Sequence, residues 1–213
     1  MTFSTHLPTH SPTMSSYDVV IVGGAMYGSS VSWFLADNPD FNGSILVVER
    51  DPSYMACSTV HTNSCIRQQF SREINVRISQ FGADFVKNLR QYMGEDVRVP
   101  NLPIHSYGYL YLADSEAFSS VLKESQQVQA ACGAGTKILS AQDIKHDYPF
   151  YNVKDIVSGS HNRIDEGYFD GGTLFEWWRR SAKEKGVEFV GNEVVSMQRN
   201  NQGSRVESVT LKS

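Results

Sequence analysis

Tyr17 to Val22 (YDVVIV) is a nearly continuous β-branched run closed by Gly23 and Gly24, and this pattern predicts a parallel strand buried on both faces. From Met26 to Ala36 apolar residues return at helical spacing, with Val31, Phe34 and Leu35 placed to face a sheet and Asn38-Pro39 closing the helix. Ser44 to Val48 (SILVV) reads as a second buried strand that ends at Glu49-Arg50. Strand, glycine turn, helix and strand within about thirty residues make one βαβ unit, and that unit commits the chain to an α/β, Rossmann-like fold.

The turn bears on chemistry as well as on fold. In the dinucleotide fingerprint GxGxxG the first glycine makes the turn, the second lets the backbone approach a pyrophosphate, and the third lets helix and strand pack closely. Here the letters are Gly23-Gly24-Ala25-Met26-Tyr27-Gly28, so the middle glycine is replaced by Ala25. The added methyl narrows the space beside a pyrophosphate without removing the helix N-terminus that attracts it. Any glycine turn before a buried helix looks similar, and an acid at a strand end is common. Glu49, 21 residues after Gly28 and at the end of the next strand, is placed where a carboxylate accepts ribose hydroxyls. The conjunction points to a dinucleotide.

Composition removes several other classes. With 213 residues, 40% of them hydrophobic and 20% charged, the chain is long enough for one good core or two small ones. A net charge of -4 gives no basic surplus for nucleic acid. Cys57, Cys65 and Cys132 form neither an even disulfide framework nor a CxxC pair, which suits a reducing compartment and argues against a metal site. The first sixteen residues contain no Lys or Arg, so they resemble neither a secretory signal nor a mitochondrial presequence. They are expected to be a tail on a cytoplasmic protein, with Met14 an alternative start. No apolar run reaches the roughly 18 residues of a membrane helix.

Further along, Ile74, Ile78, Phe81, Phe85 and Leu89 predict one long amphipathic helix over Arg72 to Met93, with Ser71 and Glu73 at cap positions. Tyr107 to Leu112 reads as a strand, Ser115 to Ala131 as a helix, and Ser140 to His146 as a short helix stopped by Tyr148-Pro149. Asp170 caps a helix over Thr173 to Lys185, in which Trp177 and Trp178 serve packing, and Gly186 lies just past its end. Val187 to Val190 is a strand, and Glu193 to Gln198 with Arg205 to Leu211 forms a hairpin across Asn200 to Gly203. The expected organisation is a tail over 1–16, a dinucleotide-binding domain begun over 17–95, a second, mixed α+β domain begun over 96–170, and a return to the first over 171–213. With three parallel strands and a hairpin, the first domain reads as incomplete.

Beyond Glu49-Arg50-Asp51 the sequence continues Ala56-Cys57-Ser58-Thr59-Val60-His61-Thr62-Asn63-Ser64-Cys65-Ile66-Arg67-Gln68-Gln69-Phe70. This stretch resembles the D-amino-acid oxidase-like family of FAD-dependent oxidoreductases, which includes glycine and sarcosine oxidases, dimethylglycine dehydrogenase and a complex I assembly oxidoreductase. Gly108 to Leu112 is similar to that family's substrate-domain strand, and Asp165-Glu166-Gly167-Tyr168-Phe169-Asp170 to its turn before the next FAD-domain helix. The resemblance implies FAD as the cofactor, with contacts from Gly23, Gly24, Ala25, Met26, Tyr27, Gly28, Glu49, Arg50, Ser58, Thr59, His61, Asn63, Ser64 and Val194.

It also implies hydride transfer from the carbon beside an amine, the substrate being an amine or N-methyl amino acid, or a hydroxy acid as in some relatives. Arg67 departs from the CQQFS-like stretch of the assembly oxidoreductase; its guanidinium suits a substrate carboxylate, although a loop arginine is also an ordinary solvated side chain. Ser58-Thr59-Val60-His61 resembles the STWH segment whose histidine carries the flavin covalently in dimethylglycine and sarcosine dehydrogenases; the alternative is a polar loop residue near a non-covalent cofactor. Asp165, Glu166 and Asp170 are not expected to do acid/base work. Family members are about twice this length, so these residues alone are expected to hold FAD poorly and to be inactive. An NAD-dependent dehydrogenase would share Tyr17 to Glu49 but would leave the Ser58-Thr59 segment unexplained, and a non-catalytic FAD-binding assembly or electron-transfer protein would keep the whole fold.

Overall fold

The computed structural model describes residues 15–213, so the expected tail lies, through residue 14, outside the described residues. In chain order, strand β1 (Val19–Val22), helix α1 (Met26–Asp37) and strand β2 (Ile45–Glu49) come first. Strand β3 (Cys65–Ile66), helices α2 (Glu73–Lys87) and α3 (Leu89–Tyr92), strand β4 (Tyr109–Ala113) and helix α4 (Glu116–Ala131) follow. Next are strand β5 (Lys137–Ser140), helix α5 (Ala141–Asp147) and strands β6 (Ser158–Asn162) and β7 (Gly167–Tyr168). Helix α6 (Gly171–Glu184), strand β8 (Glu188–Gly191) and strands β9 (Val194–Arg199) and β10 (Val206–Leu211) end the series. The chain divides into two compact units, one from residues up to Ser53 together with Trp178–Ser213, the other Tyr54–Trp177.

The first unit is built on a parallel sheet in the order β1-β2-β8. In the middle of it, β2 buries Ile45, Leu46, Val47 and Val48, as its apolar run requires. The other predicted buried strand differs: β1 pairs with β2 alone among the described strands, lies at the sheet edge, and leaves Val22 52% exposed. Helix α1 also turns another face inward. Gly28, Ser29, Ser32 and Trp33 are buried, while Val31 and Phe34 are exposed. The reason is spacing: a helix held this close to its strand has room for glycine and serine along its inner face, and Trp33 closes the far end by donating from Nε1 to Ser181 Oγ at 2.9 Å. The hairpin β9-β10 is antiparallel, its turn held by Ser204 N donating to Asn200 Oδ1 at 2.9 Å.

The second unit carries an antiparallel sheet in the order β4-β6-β5 and a two-residue ladder of β3 with β7. Its central strand, β6, reads Ser-Gly-Ser-His-Asn and has no apolar side chain to announce it. Its buried polar groups are satisfied instead: Ser158 Oγ lies 2.7 Å from Ser119 Oγ, Ser160 Oγ donates to Gln69 Oε1 at 2.7 Å, and Asn162 Nδ2 donates to Glu166 Oε1 at 2.8 Å. The long helix expected over Arg72 to Met93 is two helices broken at Asn88. Its buried residues are Val76, Ala83, Phe85, Val86 and Leu89, whereas Ile74, Ile78 and Phe81 face outward. Ser71 does not cap it; Arg72 occupies the cap position without a side-chain bond, and Glu73 pairs with Arg77 at 2.7 Å.

Side chains cap other helices, and of these caps only the one at Asp170 was expected. Ser115 Oγ accepts from Phe118 N, and Ser140 and Asp143 form a reciprocal capping box at the start of α5. Asp170 accepts from Thr173 N at 3.0 Å and from Thr173 Oγ1 at 2.6 Å, which closes the start of α6. The Thr173 hydroxyl first and its amide second hold the Asp170 carboxyl below the usual aspartate range. The stabilisation is therefore complete above the ordinary aspartate pKa, about 4, and is lost as pH falls through the depressed folded value. Asp170→Ala is expected to cost about 1 kcal/mol at neutral pH and to flatten the acid limb of stability; urea midpoints between neutral and acidic pH measure both.

Candidate functional site

In the first unit the end of β1, the start of α1 and the end of β2 converge. Gly23 leaves β1 with φ +95°, a conformation that disfavours any side chain. Gly28 lies against it so closely that a Cβ would stand 1.8 Å from the Gly23 carbonyl oxygen. Ala25 takes the cap position of α1 without a side-chain bond, and the first turn contains no acidic residue. The N-terminal end of the helix therefore keeps its positive partial charge unopposed by its own side chains. Opposite, Glu49 Oε2 accepts from Gly24 N at 2.8 Å and Oε1 from Asp51 N at 2.8 Å, so the carboxylate ties the two strand-end turns together. Each oxygen keeps a lone pair for a further donor.

The sequence-predicted residues fall into two groups. Gly23, Gly24, Ala25, Met26, Tyr27, Gly28, Glu49 and Arg50 lie within this convergence or beside it, with Tyr27 and Arg50 exposed. Val194 opens β9, and the chain reaches it by way of Asn192, whose N–H donates to Glu49 O at 3.0 Å. Ser58, Thr59, His61, Asn63 and Ser64 belong to the second unit. There Val60 N donates to Cys57 O and His61 N to Ser58 O in consecutive turns. His61 is exposed, and its Nε2 donates to Met55 O at 2.8 Å.

Arg67 follows β3 in the second unit. Its guanidinium carbon lies 5.1 Å from the Phe70 ring centre and 5.8 Å from that of Tyr109, and its buried Nε has no hydrogen-bond partner. Stacking on two rings holds a cation without using its donors. Burial pushes the Tyr109 phenol up to about 12, with Cys65 adding to the effect, so the ring is neutral across the physiological range. Tyr109 also lines an open cavity of about 380 Å³ with Cys65, Tyr107, Tyr148, Tyr151 and His161. His161 Nε2 and Tyr148 Oη are 3.1 Å apart. Burial, then the charge of Arg163, pushes the imidazole below the usual histidine range, which keeps it neutral at pH 7.

The sequence reading passed over Tyr109, Tyr148 and His161 as site residues, since nothing in their spacing brings them together. Glu166 was expected only as part of the turn before the next helix, without acid/base work. The structure shows Glu166 fully buried, a placement that a charged residue in a loop gives no sign of.

The family described as FAD dependent oxidoreductase (DAO) matches residues 18–212. The chain belongs to this family of FAD-dependent oxidoreductases. It is 35% identical over 196 residues to FAD-dependent oxidoreductase domain-containing protein 1 of Xenopus laevis, covering 90% of this chain and 39% of that protein. It is 34% identical over 210 residues to the Bos taurus protein of that name, covering 96% and 43%. The chain thus spans about two fifths of the length of the relatives it matches. Among solved structures, L-proline dehydrogenase from P. horikoshii superposes with a TM-score of 0.72 at 23% identity, over 91% of this chain and 48% of that one. Glycine oxidase from Bacillus cereus does so with 0.65 at 19%, over 92% and 51%. These likenesses share the fold, an α/β FAD-type architecture matched over about half its length.

The DAO family's cofactor suits the first unit. A helix end without its own acid suits a diphosphate, the Gly23–Gly28 approach brings that end against the strand end with only the Ala25 methyl at the cap position, and Glu49 has acceptor capacity for ribose hydroxyls. Gly28→Ala is expected to force α1 off β1 and to lower stability by about 1–3 kcal/mol. A drop in urea midpoint, followed by the fluorescence of the buried Trp33, measures it.

Proposed function

We propose that this chain supplies the nucleotide cradle and part of the substrate site of an FAD-dependent enzyme that oxidises the C–N bond of an amine or amino acid, N-methyl amino acids included. The flavin, when bound, supplies hydride acceptance from the carbon next to the amine. In this reading Gly23 to Gly28 and the start of α1 face the diphosphate, Glu49 and Arg50 the ribose, and Val194 the adenine through its backbone, while Ser58, Thr59, His61, Asn63 and Ser64 are further contacts to the cofactor. His61 acts as a polar neighbour of a non-covalent flavin, its Nε2 being engaged by Met55 O.

The observation that carries the substrate class is Arg67: a guanidinium stacked on Phe70 and Tyr109, with Nε unsatisfied, beside an aromatic cavity. Such a group orients a carboxylate by paired hydrogen bonds. The neighbouring tyrosines would take an apolar side chain or N-methyl group and exclude water from it. The neutral His161–Tyr148 pair offers hydrogen bonding without a second charge. Solved structures of similar fold named as a proline dehydrogenase and a glycine oxidase support an amino-acid substrate.

The test uses this chain within a protein of its relatives' full length, loaded with FAD, and mixes it anaerobically with primary, secondary and N-methyl amino acids while the flavin absorbance is followed. Reduction by at least one of them is expected. Arg67→Met should raise KM about tenfold to a hundredfold with a smaller change in kcat, since a hydrogen bond to a charged group is worth about 1.5–3 kcal/mol. No reduction by any amine would favour a non-catalytic FAD-binding protein. Acid precipitation should release all the flavin into the supernatant. The 213-residue chain by itself is expected to retain FAD poorly, and stoichiometric flavin absorbance in the purified chain would overturn that expectation.

A further inference from the structure

Glu166 is a fully buried carboxylate surrounded by donors. Its Oε1 accepts from Gln68 N at 2.7 Å and from Asn162 Nδ2 at 2.8 Å, and its Oε2 accepts from Gln69 Nε2 at 2.9 Å. None of these donors can be exchanged for an acceptor by turning an amide. Gln68 N is backbone. Asn162 is fixed because its Oδ1 accepts from Ile164 N at 3.0 Å, and Gln69 is fixed because its Nε2 also donates to the Tyr109 carbonyl at 3.0 Å. A protonated carboxyl would point its O–H at a donor, so the site is shaped for the anion. Burial pushes the carboxyl above its usual range, while Gln69, the Gln68 amide, Asn162 and the charge of Arg67 pull it back.

The partners of Glu166 have something in common. Gln68 is the residue after Arg67, and Gln69 links the carboxylate to the backbone of Tyr109, whose ring lies under the Arg67 guanidinium. One anion thus grips the backbone that carries the arginine and the strand that supports it. No hydrogen bond joins Glu166 to the guanidinium among the described residues, so its negative charge balances Arg67 without occupying the donors. An arginine paired directly with a carboxylate would commit part of its donor fork to it and leave fewer N–H groups for a ligand.

We propose that Glu166 is the positioning residue for Arg67: it fixes the guanidinium over Phe70 and Tyr109 and offsets its charge from behind, leaving the donors to an incoming carboxylate. The ligand part of this rests on the reading of Arg67 given above; the positioning part does not.

The experiment separates the two. In 15N-labelled protein the Arg67 Nε–H resonance is assigned by its disappearance in Arg67→Met, and its exchange with solvent is measured. Glu166→Gln, which puts a donor where an acceptor is required, should speed that exchange at least tenfold; an unchanged rate overturns the proposal. If Glu166→Gln does not fold, Glu166→Asp, which keeps the charge but shortens the reach, should still give a several-fold faster exchange, and no change in it counts equally against the proposal.

Second, binding of benzoate and of uncharged benzamide is compared by the flavin spectrum in the FAD-loaded protein of full length used for the activity test. The ratio of the two affinities should fall about tenfold in Glu166→Gln and in Arg67→Met, and no further in the double variant. A purely structural loosening would weaken both probes and leave the ratio unchanged, and that result, or an additive fall in the double variant, overturns the proposal. A wild-type protein that does not distinguish benzoate from benzamide sinks the carboxylate reading of Arg67, while the exchange rates still decide whether Glu166 positions it.

Discussion

The first turn of α1 lies where it does because Gly28 has no side chain: a single carbon there would stand 1.8 Å from the Gly23 carbonyl oxygen. That approach fixes the helix end above the strand end, and the rest of the first unit is arranged around it. Ser29 Oγ donates to the Gly24 carbonyl at 2.6 Å, and Glu49 receives the Gly24 amide from the other side. The small residues on the inner face of α1 follow from the same distance. The cap position is held by Ala25, which has no polar atom to cap the helix.

The middle strands of the two sheets are buried in different ways. In the first unit, four consecutive apolar residues of β2 lie out of water; at about 25 cal/mol per Å² this is the ordinary driving force of folding. In the second, an apolar core that includes Val76, Phe85, Leu89, Leu122 and Ile144 is joined by a polar middle strand with paired side chains: Ser158 with Ser119, and separately Ser160, Gln69, Glu166 and Asn162 in series. Such networks add little net stability when complete and cost much when broken. They do specify geometry, which is what a site that must hold one arginine in one orientation requires.

This difference explains what could be read from the letters. The βαβ unit, the cap at Asp170 and the hairpin after Asn192 were legible because each rests on local chemistry. Strand β6 was not, because a run of Ser, Gly, His and Asn carries no periodic apolar signal. The inward faces of α1 and α2 were misjudged for a related reason: the largest apolar side chains were assigned to the core, whereas close approach gave it to Gly28, Ser29 and Ser32 in one helix, and in the other Val76, Ala83 and Val86 are buried while Ile74, Ile78 and Phe81 face outward. In the glycine turn, the spacing of Gly28 and Glu49 was informative although Ala25 departs from the fingerprint. Arg67 stood out as an isolated cation; the rings beneath it and the anion behind it come from positions up to about a hundred residues away, and only folding brings them together.

The hydrogen bonds around Glu166 have a direction as well as a length. Every donor points toward the carboxylate, and each amide is locked by a second bond to backbone. Gln69, Ser160, Asn162 and Glu166 therefore act as one unit: a change at any one of them leaves a proton without a home or a lone pair without a proton, so their contributions to stability cannot be added singly.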